Sequence, residues 1–323
     1  MKKIFVLTAA LLSSNFIFAQ EYKAINKTFM DQSVRPQDDF YNYVNGNWMK
    51  TVQIPSDKAR WGSFDELREN TDLAVLEILK SALNETQAKG SDGQKIADLY
   101  KSYVDFETRN KVALKPIQQR LSDINAIKNL KDLTAYFSKY GREGGNPFYG
   151  GYVGTHLKNS KINTVYLGGG SLGLGRTYYQ KDDEANRKTL ADYSEFINTL
   201  YGKVDPKTKD LKGSKVIAFE KAIAANLKTV EESRDAQKRY NPVAVSDLNK
   251  LVKNVDVAGF LKEVGFKADT VIIGELKYFQ NLDQILTEKN VPVIKEYLKF
   301  HVVNGATSYL TEELDKLSFD FYG

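Results

Sequence analysis

Apolar residues recur at helical spacing along most of this sequence, and one stretch, 148–174, breaks the pattern with Gly, Tyr and Val. That alternation predicts a mainly α fold, a multi-helix domain with a small β insert at about 148–174. Asp38-Asp39 opens a helix carrying Phe40, Tyr43, Val44 and Trp48, and Asn45-Gly46-Asn47 interrupts its propensity but not its apolar face. Pro55 breaks the chain, because proline fixes its own φ and disfavours helix just before it. Ser63-Phe64-Asp65-Glu66 has the form of a capping box, with Ser63 accepting from the amide three residues on and Glu66 reaching back. Leu67, Leu73, Leu76, Ile78 and Leu79 carry that helix to about Leu83. Further helices are expected over 94–106, 113–124, 130–139, 183–201 and 215–229, with Pro116 placed early enough in its helix to be tolerated. Short helices follow near 245–252 and 257–264, then helices over 275–286, 293–303 and 308–317. Within the insert, 162–167 has strand character and a hairpin is expected across 158–161; 271–273 is a second candidate strand and Tyr240-Asn241-Pro242 a loop. No repeat of fixed period, low-complexity tract or flexible linker is present.

Cysteine is absent, so disulfides and thiolate metal sites are impossible and a packed core must hold the chain together. Its 323 residues provide about two domains' worth of chain. Met1-Lys2-Lys3, the apolar run from Ile4 to Leu12 and the small-residue junction Ala19-Gln20 form a secretory signal peptide over 1–19. That run is shorter than the roughly 20 residues a membrane span needs, and no other stretch is long and apolar enough. No Cys follows the junction to carry a lipid anchor. The expectation is an exported protein, periplasmic or extracellular, without a transmembrane segment, in which residues 20–37 are polar and extended. The net charge is +5, of which the signal carries Lys2 and Lys3, leaving +3. Basic residues are dispersed among acids rather than interleaved with aromatics, which argues against a nucleic-acid partner.

Motifs for chemistry are few. Gly169-Gly170-Ser171-Leu172-Gly173 matches G-x-S-x-G, and Gly168, Gly170 and Gly173 match G-x-G-x-x-G. A nucleophile elbow passes straight from strand into helix, whereas Leu174 to Tyr179 is a poor helix start. A dinucleotide fold needs repeated βαβ units, which this pattern lacks. A tight glycine-rich turn leaving the insert is the simpler reading. The histidines, His156 and His301, are two in number and neither has a partner at the spacing of a helical zinc motif. Adjacent acids such as Glu231-Glu232 and Asp182-Asp183 point in different directions on a helix and make no acid–base pair. Arg60 lies beside Trp61 just before the capped helix; a guanidinium held there can clamp a carboxylate with two parallel hydrogen bonds, oriented by Asp65, although a local salt bridge is the plainer reading.

Taken in order, these segments resemble one family. Asp38-Asp39-Phe40-Tyr41-Asn42-Tyr43-Val44-Asn45-Gly46-Asn47-Trp48, Ile54-Pro55 and Arg60-Trp61-Gly62-Ser63-Phe64-Asp65-Glu66-Leu67 are similar to the opening motifs of the neprilysin and endothelin-converting-enzyme family of zinc metallopeptidases. Leu172-Gly173-Leu174 with Tyr178-Tyr179, Ser233-Arg234-Asp235 with Tyr240-Asn241, Tyr297-Leu298-Lys299-Phe300, Tyr309-Leu310 and Phe319-Asp320-Phe321-Tyr322-Gly323 resemble its later landmarks. The resemblance covers 38–323. It implies an N-terminal helical cap over an internal chamber that admits short peptides, with zinc and the catalytic glutamate in a later thermolysin-like domain missing from this chain. It implies that Arg60 binds the C-terminal carboxylate of a peptide substrate and that Asp65 supports it. It assigns no catalytic or metal-binding residue here: zinc belongs to the complete enzyme and none is bound by this chain. The missing cysteines depart from the disulfide-bonded animal members and fit a bacterial-type exported homologue. Two other readings stand beside it, a non-catalytic peptide-binding module and a serine hydrolase using Ser171 and His301.

Overall fold

The computed structural model describes residues 25–204 and 212–323, so the expected signal peptide lies outside the described residues. Two units divide the chain, 1–97 and 98–323.

In the first unit, a 3₁₀ turn at Lys27–Phe29 precedes α1 (Phe40–Thr51), α2 (Ser63–Asn84) and the start of α3 (Asp92–Val104). The stretch before α1 turns back on that helix rather than running extended, because Asp31 anchors it. The Asp31 carboxylate accepts from the Ser33 amide at 3.0 Å, from the Ser33 hydroxyl at 2.5 Å and from Lys50 Nζ at 2.5 Å. Its amide donates to the Tyr43 carbonyl at 2.9 Å. Gly46 permits this approach, since a Cβ there would stand 2.8 Å from Cβ of Asp31. Asp39 caps α1, accepting from the Asn42 amide at 2.9 Å. The capping box expected at Ser63 does not form. Gly62 is the N-cap of α2, its carbonyl accepts from the Asp65 and Glu66 amides, and no side chain caps the end. The helix starts one residue earlier than the box requires, which puts Ser63 inside it. α2 is about 33 Å long at roughly 1.5 Å per residue, and Phe64, Leu67, Leu73, Val75, Leu76 and Ile78 along it are all exposed.

The second unit continues with α4 (Phe106–Val112), α5 (Lys115–Ala126) and α6 (Leu130–Tyr140). The hairpin β1 (Gly150–His156) and β2 (Asn159–Gly168) follows, then α7 (Arg176–Gln180), α8 (Glu184–Val204) and α9 (Gly213–Ala224). β3 (Pro242–Ala244), α10 (Leu248–Leu251), α11 (Val257–Glu263), β4 (Thr270–Ile273), α12 (Leu276–Ile285), α13 (Val291–Ala306) and α14 (Glu312–Tyr322) complete it. The mainly α class with a small sheet holds, but the sheet is larger than the insert. Its order is β1-β2-β4-β3, with β4 parallel to β2 and antiparallel to β3. Pro242, expected in a loop with Tyr240 and Asn241, therefore begins an edge strand of the sheet, β3.

Aromatic rings dominate the core. Phe137, Phe148, Tyr149, Tyr193, Tyr278 and Tyr297 are all buried. Tyr297 of α13 lies 5.3 Å from both Phe148 and Phe219, centroid to centroid, within the range where ring pairs attract beyond their buried area. Its hydroxyl donates to the Ser171 carbonyl at 2.5 Å, and that of Tyr278 donates to the Phe148 carbonyl at 2.9 Å. Arg109, the buried cation of α4, donates to the carbonyls of Tyr103 at 2.7 Å and of Ser308 and Leu310 at 2.8 Å. It also pairs with Asp315 at 3.4 Å, between the rings of Tyr103 and Phe106.

Candidate functional site

Arg60 ends the loop before α2, and Asp65 lies in the first turn of that helix. Arg60 Nε stands 3.8 Å from Asp65 Oδ1, with the arginine side chain 88% exposed and the aspartate 31%. At that separation the carboxylate attracts the guanidinium without a hydrogen bond, and the pair is screened by water. The arginine side chain is open to solvent, and no stacking of Arg60 on Trp61 is found among the described residues. Geometrically this is an open cationic fork steadied from one side. It can take a carboxylate in two parallel hydrogen bonds, and the exposed Phe64 ring, 88% accessible, lies on the next helical positions.

The glycine run does not build a nucleophile. β2 ends at Gly168, and the chain makes a tight turn in which the Gly169 α-carbon packs against the Phe148 backbone and Gly170 takes φ +78°. Contrary to expectation, a short helix, α7, does begin at Arg176, but a four-residue loop separates Ser171 from it. Ser171 is exposed, its amide donates to the Pro147 carbonyl at 2.9 Å, and its hydroxyl makes no hydrogen bond to His301. The two residues line one cavity without forming a dyad.

Behind the turn stands a group that the sequence reading passed over. Glu220 of α9 is wholly buried. Its carboxylate accepts from the Gly173 amide at 2.9 Å and from the Tyr179 hydroxyl at 2.7 Å. Tyr193 OH approaches at 3.5 Å and His301 Nε2 at 3.7 Å. Burial, and then the carboxylate's charge, push the Tyr179 and Tyr193 phenols well above their ordinary range. The signal was present in the sequence: an acid flanked by Val216, Phe219 and Ile223 on an apolar helix face.

The other candidates are structural. His156 Nδ1 accepts from the Lys158 amide at 3.1 Å, so Nε2 carries the proton toward Tyr240 OH at 3.3 Å. Asp183 accepts from the Asn186 amide at 2.8 Å at the start of α8, and Asp182 pairs with Arg187. Glu232 and Thr229 cap each other's amides at 3.1 Å. Among the described residues no group of three or more His, Asp or Glu could hold a metal ion.

Comparison with known proteins agrees with the motif order read above. The chain is 25% identical over 301 residues to endothelin-converting enzyme 1 of Rattus norvegicus, covering 88% of this chain and 39% of that protein. It is 25% identical over 292 residues to the neutral endopeptidase of Lactococcus lactis subsp. lactis, covering 87% and 45%. The structure of the Mycobacterium tuberculosis zinc metalloprotease Zmp1 in complex with inhibitor superposes with a TM-score of 0.77 at 26% identity, over 93% of this chain and 46% of that one. The chain thus spans less than half the length of these relatives. Residues 36–323 match the family model described as Peptidase family M13. With the resemblance to neprilysin and endothelin-converting enzyme borne out from α1 to the end of α14, the chain belongs to peptidase family M13.

Proposed function

We propose that this chain is the N-terminal portion of an exported zinc metalloendopeptidase acting on short peptides, the zinc ion and catalytic glutamate lying in a thermolysin-like domain outside it. On this reading residues 1–19 are the signal peptide, the product is periplasmic or extracellular, and the helical domain 38–323 caps a chamber and limits what enters. Zinc in the complete enzyme would activate water and polarise the scissile carbonyl. Arg60 receives the substrate's terminal carboxylate, and Asp65 keeps the guanidinium turned toward it.

The observation that carries the reading is the exposure of α2. A helix of this length gains little stability from propensity alone and depends on burying its apolar face. Phe64, Leu67, Leu73, Leu76 and Ile78 are left in water, where burying each is worth about 1.5–3 kcal/mol. So much open apolar surface marks a missing partner face. That favours a second domain and disfavours a self-sufficient peptide-binding module.

In the complete enzyme, Arg60→Met should raise KM ten- to a hundredfold for a peptide with a free C-terminal carboxylate, about the 1.5–3 kcal/mol of a hydrogen bond to a charged group. The C-terminally amidated peptide should be cleaved as by the wild type. An equal effect on both peptides would remove the clamp. Zinc-dependent cleavage by the purified 323-residue chain would remove the placing of the metal elsewhere.

A further inference from the structure

A cavity of about 460 Å³ opens in the second unit between α5, α6, the 143–147 loop and α13. Small-molecule sites span roughly 300–1,000 Å³. Its walls are apolar at Ile117, Leu298, Val302 and Ala306, and Arg120 is the one cationic side chain lining it. That guanidinium is held from behind. Nε donates to the Tyr136 hydroxyl at 3.1 Å, and the guanidinium carbon lies 5.0 Å from the centre of the Tyr140 ring. The loop makes room for it: a Cβ on Gly145 would stand 2.7 Å from Nη2 of Arg120. No ion pair to Arg120 and no acceptor for its terminal nitrogens is found among the described residues, although Glu143 also lines the cavity. An oriented fork with open donors, beside an apolar floor, has the form of a carboxylate-binding site.

We propose that this cavity binds small organic acids with an apolar body, the carboxylate on the Arg120 terminal nitrogens and the body against Leu298 and Val302. A free acid and the carboxyl terminus of a short peptide share this chemistry. The site stands on residues of the second unit alone and does not rest on the peptidase reading.

Calorimetric titration of the full chain tests it, in an Arg60→Met background so that the first unit's arginine is silent. The probes are N-acetyl-L-leucine, its amide, and acetyl-Ala-Ala-Ala-Leu with a free carboxylate. The acid should bind with a Kd of about 1 mM and the amide at least about tenfold more weakly. Arg120→Gln should weaken the acid at least about tenfold. Gly305→Leu provides a second variant that leaves the arginine in place: a Cβ there meets no atom within 4 Å, so the side chain enters open space at the cavity's edge. It should block binding with an unchanged circular dichroism spectrum. Tighter binding of the tetrapeptide would identify a peptide terminus as the ligand and equal binding a free acid, and both uphold the site. Equal affinity for acid and amide, no heat with the acid, or undiminished binding in folded Gly305→Leu overturns it.

Discussion

Replacing Glu220 tests whether one buried carboxylate holds the glycine-rich turn. In Glu220→Ala the Gly173 amide and the Tyr179 hydroxyl lose their acceptor together. An unsatisfied buried donor costs about 1–3 kcal/mol, so the pair costs about 2–6 kcal/mol before any cavity term. That is a large part of the roughly 5–15 kcal/mol that holds a typical domain. At about 2–4 °C per kcal/mol for a unit of this size, a loss of about 4 kcal/mol lowers Tm by about 8–16 °C. Glu220→Gln keeps one acceptor oxygen but turns an amide NH₂ toward the other donor, and should cost about half as much. Tyr179→Phe removes one of the two donors. The double variant Glu220→Gln/Tyr179→Phe should therefore cost less than the two single changes added, by at least about 0.5 kcal/mol. Urea and thermal unfolding followed by circular dichroism measure all four. A Glu220→Ala protein within about 0.5 kcal/mol of wild type, or strictly additive effects, would refute the carboxylate as the turn's anchor.

Three further expectations concern the buried phenols, an acid of α5 paired with α6, and the open face of α2. The phenols of Tyr179, Tyr193 and Tyr297 are raised by burial and then by the Glu220 charge, so the unfolded chain releases these protons first. Stability should be intact below pH ~10 and fall as pH rises above it, and of the total change in absorbance at 295 nm the share due to these three phenols, beyond that of exposed tyrosines such as Tyr41, Tyr152 and Tyr309, should appear only as the fold is lost; ionisation of these phenols with the fold intact would contradict this. Asp123 is held at about 2 by hydrogen bonds from Lys139 and then Tyr140, each at 2.5 Å, so its contribution is full above its unfolded value and lost as pH falls toward 2. Asp123→Asn should flatten the stability–pH curve between about 4 and 2, and an unaltered slope would count against the pair. Phe64→Ser with Leu67→Ser should reduce dye binding and self-association of the isolated chain at a stability cost within about 0.5 kcal/mol, whereas a large loss of Tm would show that α2 is packed in solution.

What was legible in the sequence was whatever local pattern decides. The long amphipathic helices α2, α5, α6, α8, α12 and α13 lie where apolar spacing places them, and the β1–β2 hairpin forms within the expected insert but turns at Leu157-Lys158, with residues 159–161 of the expected turn already in β2. Local pattern failed where a distant partner decides. β3 has three residues and begins with a proline, and only its pairing with β4 makes it a strand. The break between α3 and α4 is invisible in hydropathy, because the apolar spacing runs on through it. Asp105 creates it by capping α4 through the Thr108 amide at 3.0 Å. Arg109 looks like any helix-surface cation, and its burial depends on carbonyls contributed by Ser308 and Leu310. At the candidate site, Arg60 and Asp65 were selected by motif resemblance, and spacing alone offered only the salt bridge. Arg120 carried no sequence signal, since its environment is assembled from α6, the 143–147 loop and α13.

The parallel ladder that joins Val165–Leu167 to Val271–Ile273 sets a clock on biogenesis. The hairpin is complete once Gly168 has been made, but the inner edge of β2 stays unpaired until β4 arrives. At roughly 5–20 residues per second, that interval is about 5–20 s, far longer than the microseconds a hairpin needs to form. Throughout it, an open strand edge bearing Val165 and Leu167 is a template for pairing with another nascent copy. Yield of the native chain should therefore fall with the concentration of unfinished chains, and slowing synthesis between β2 and β4 should worsen it.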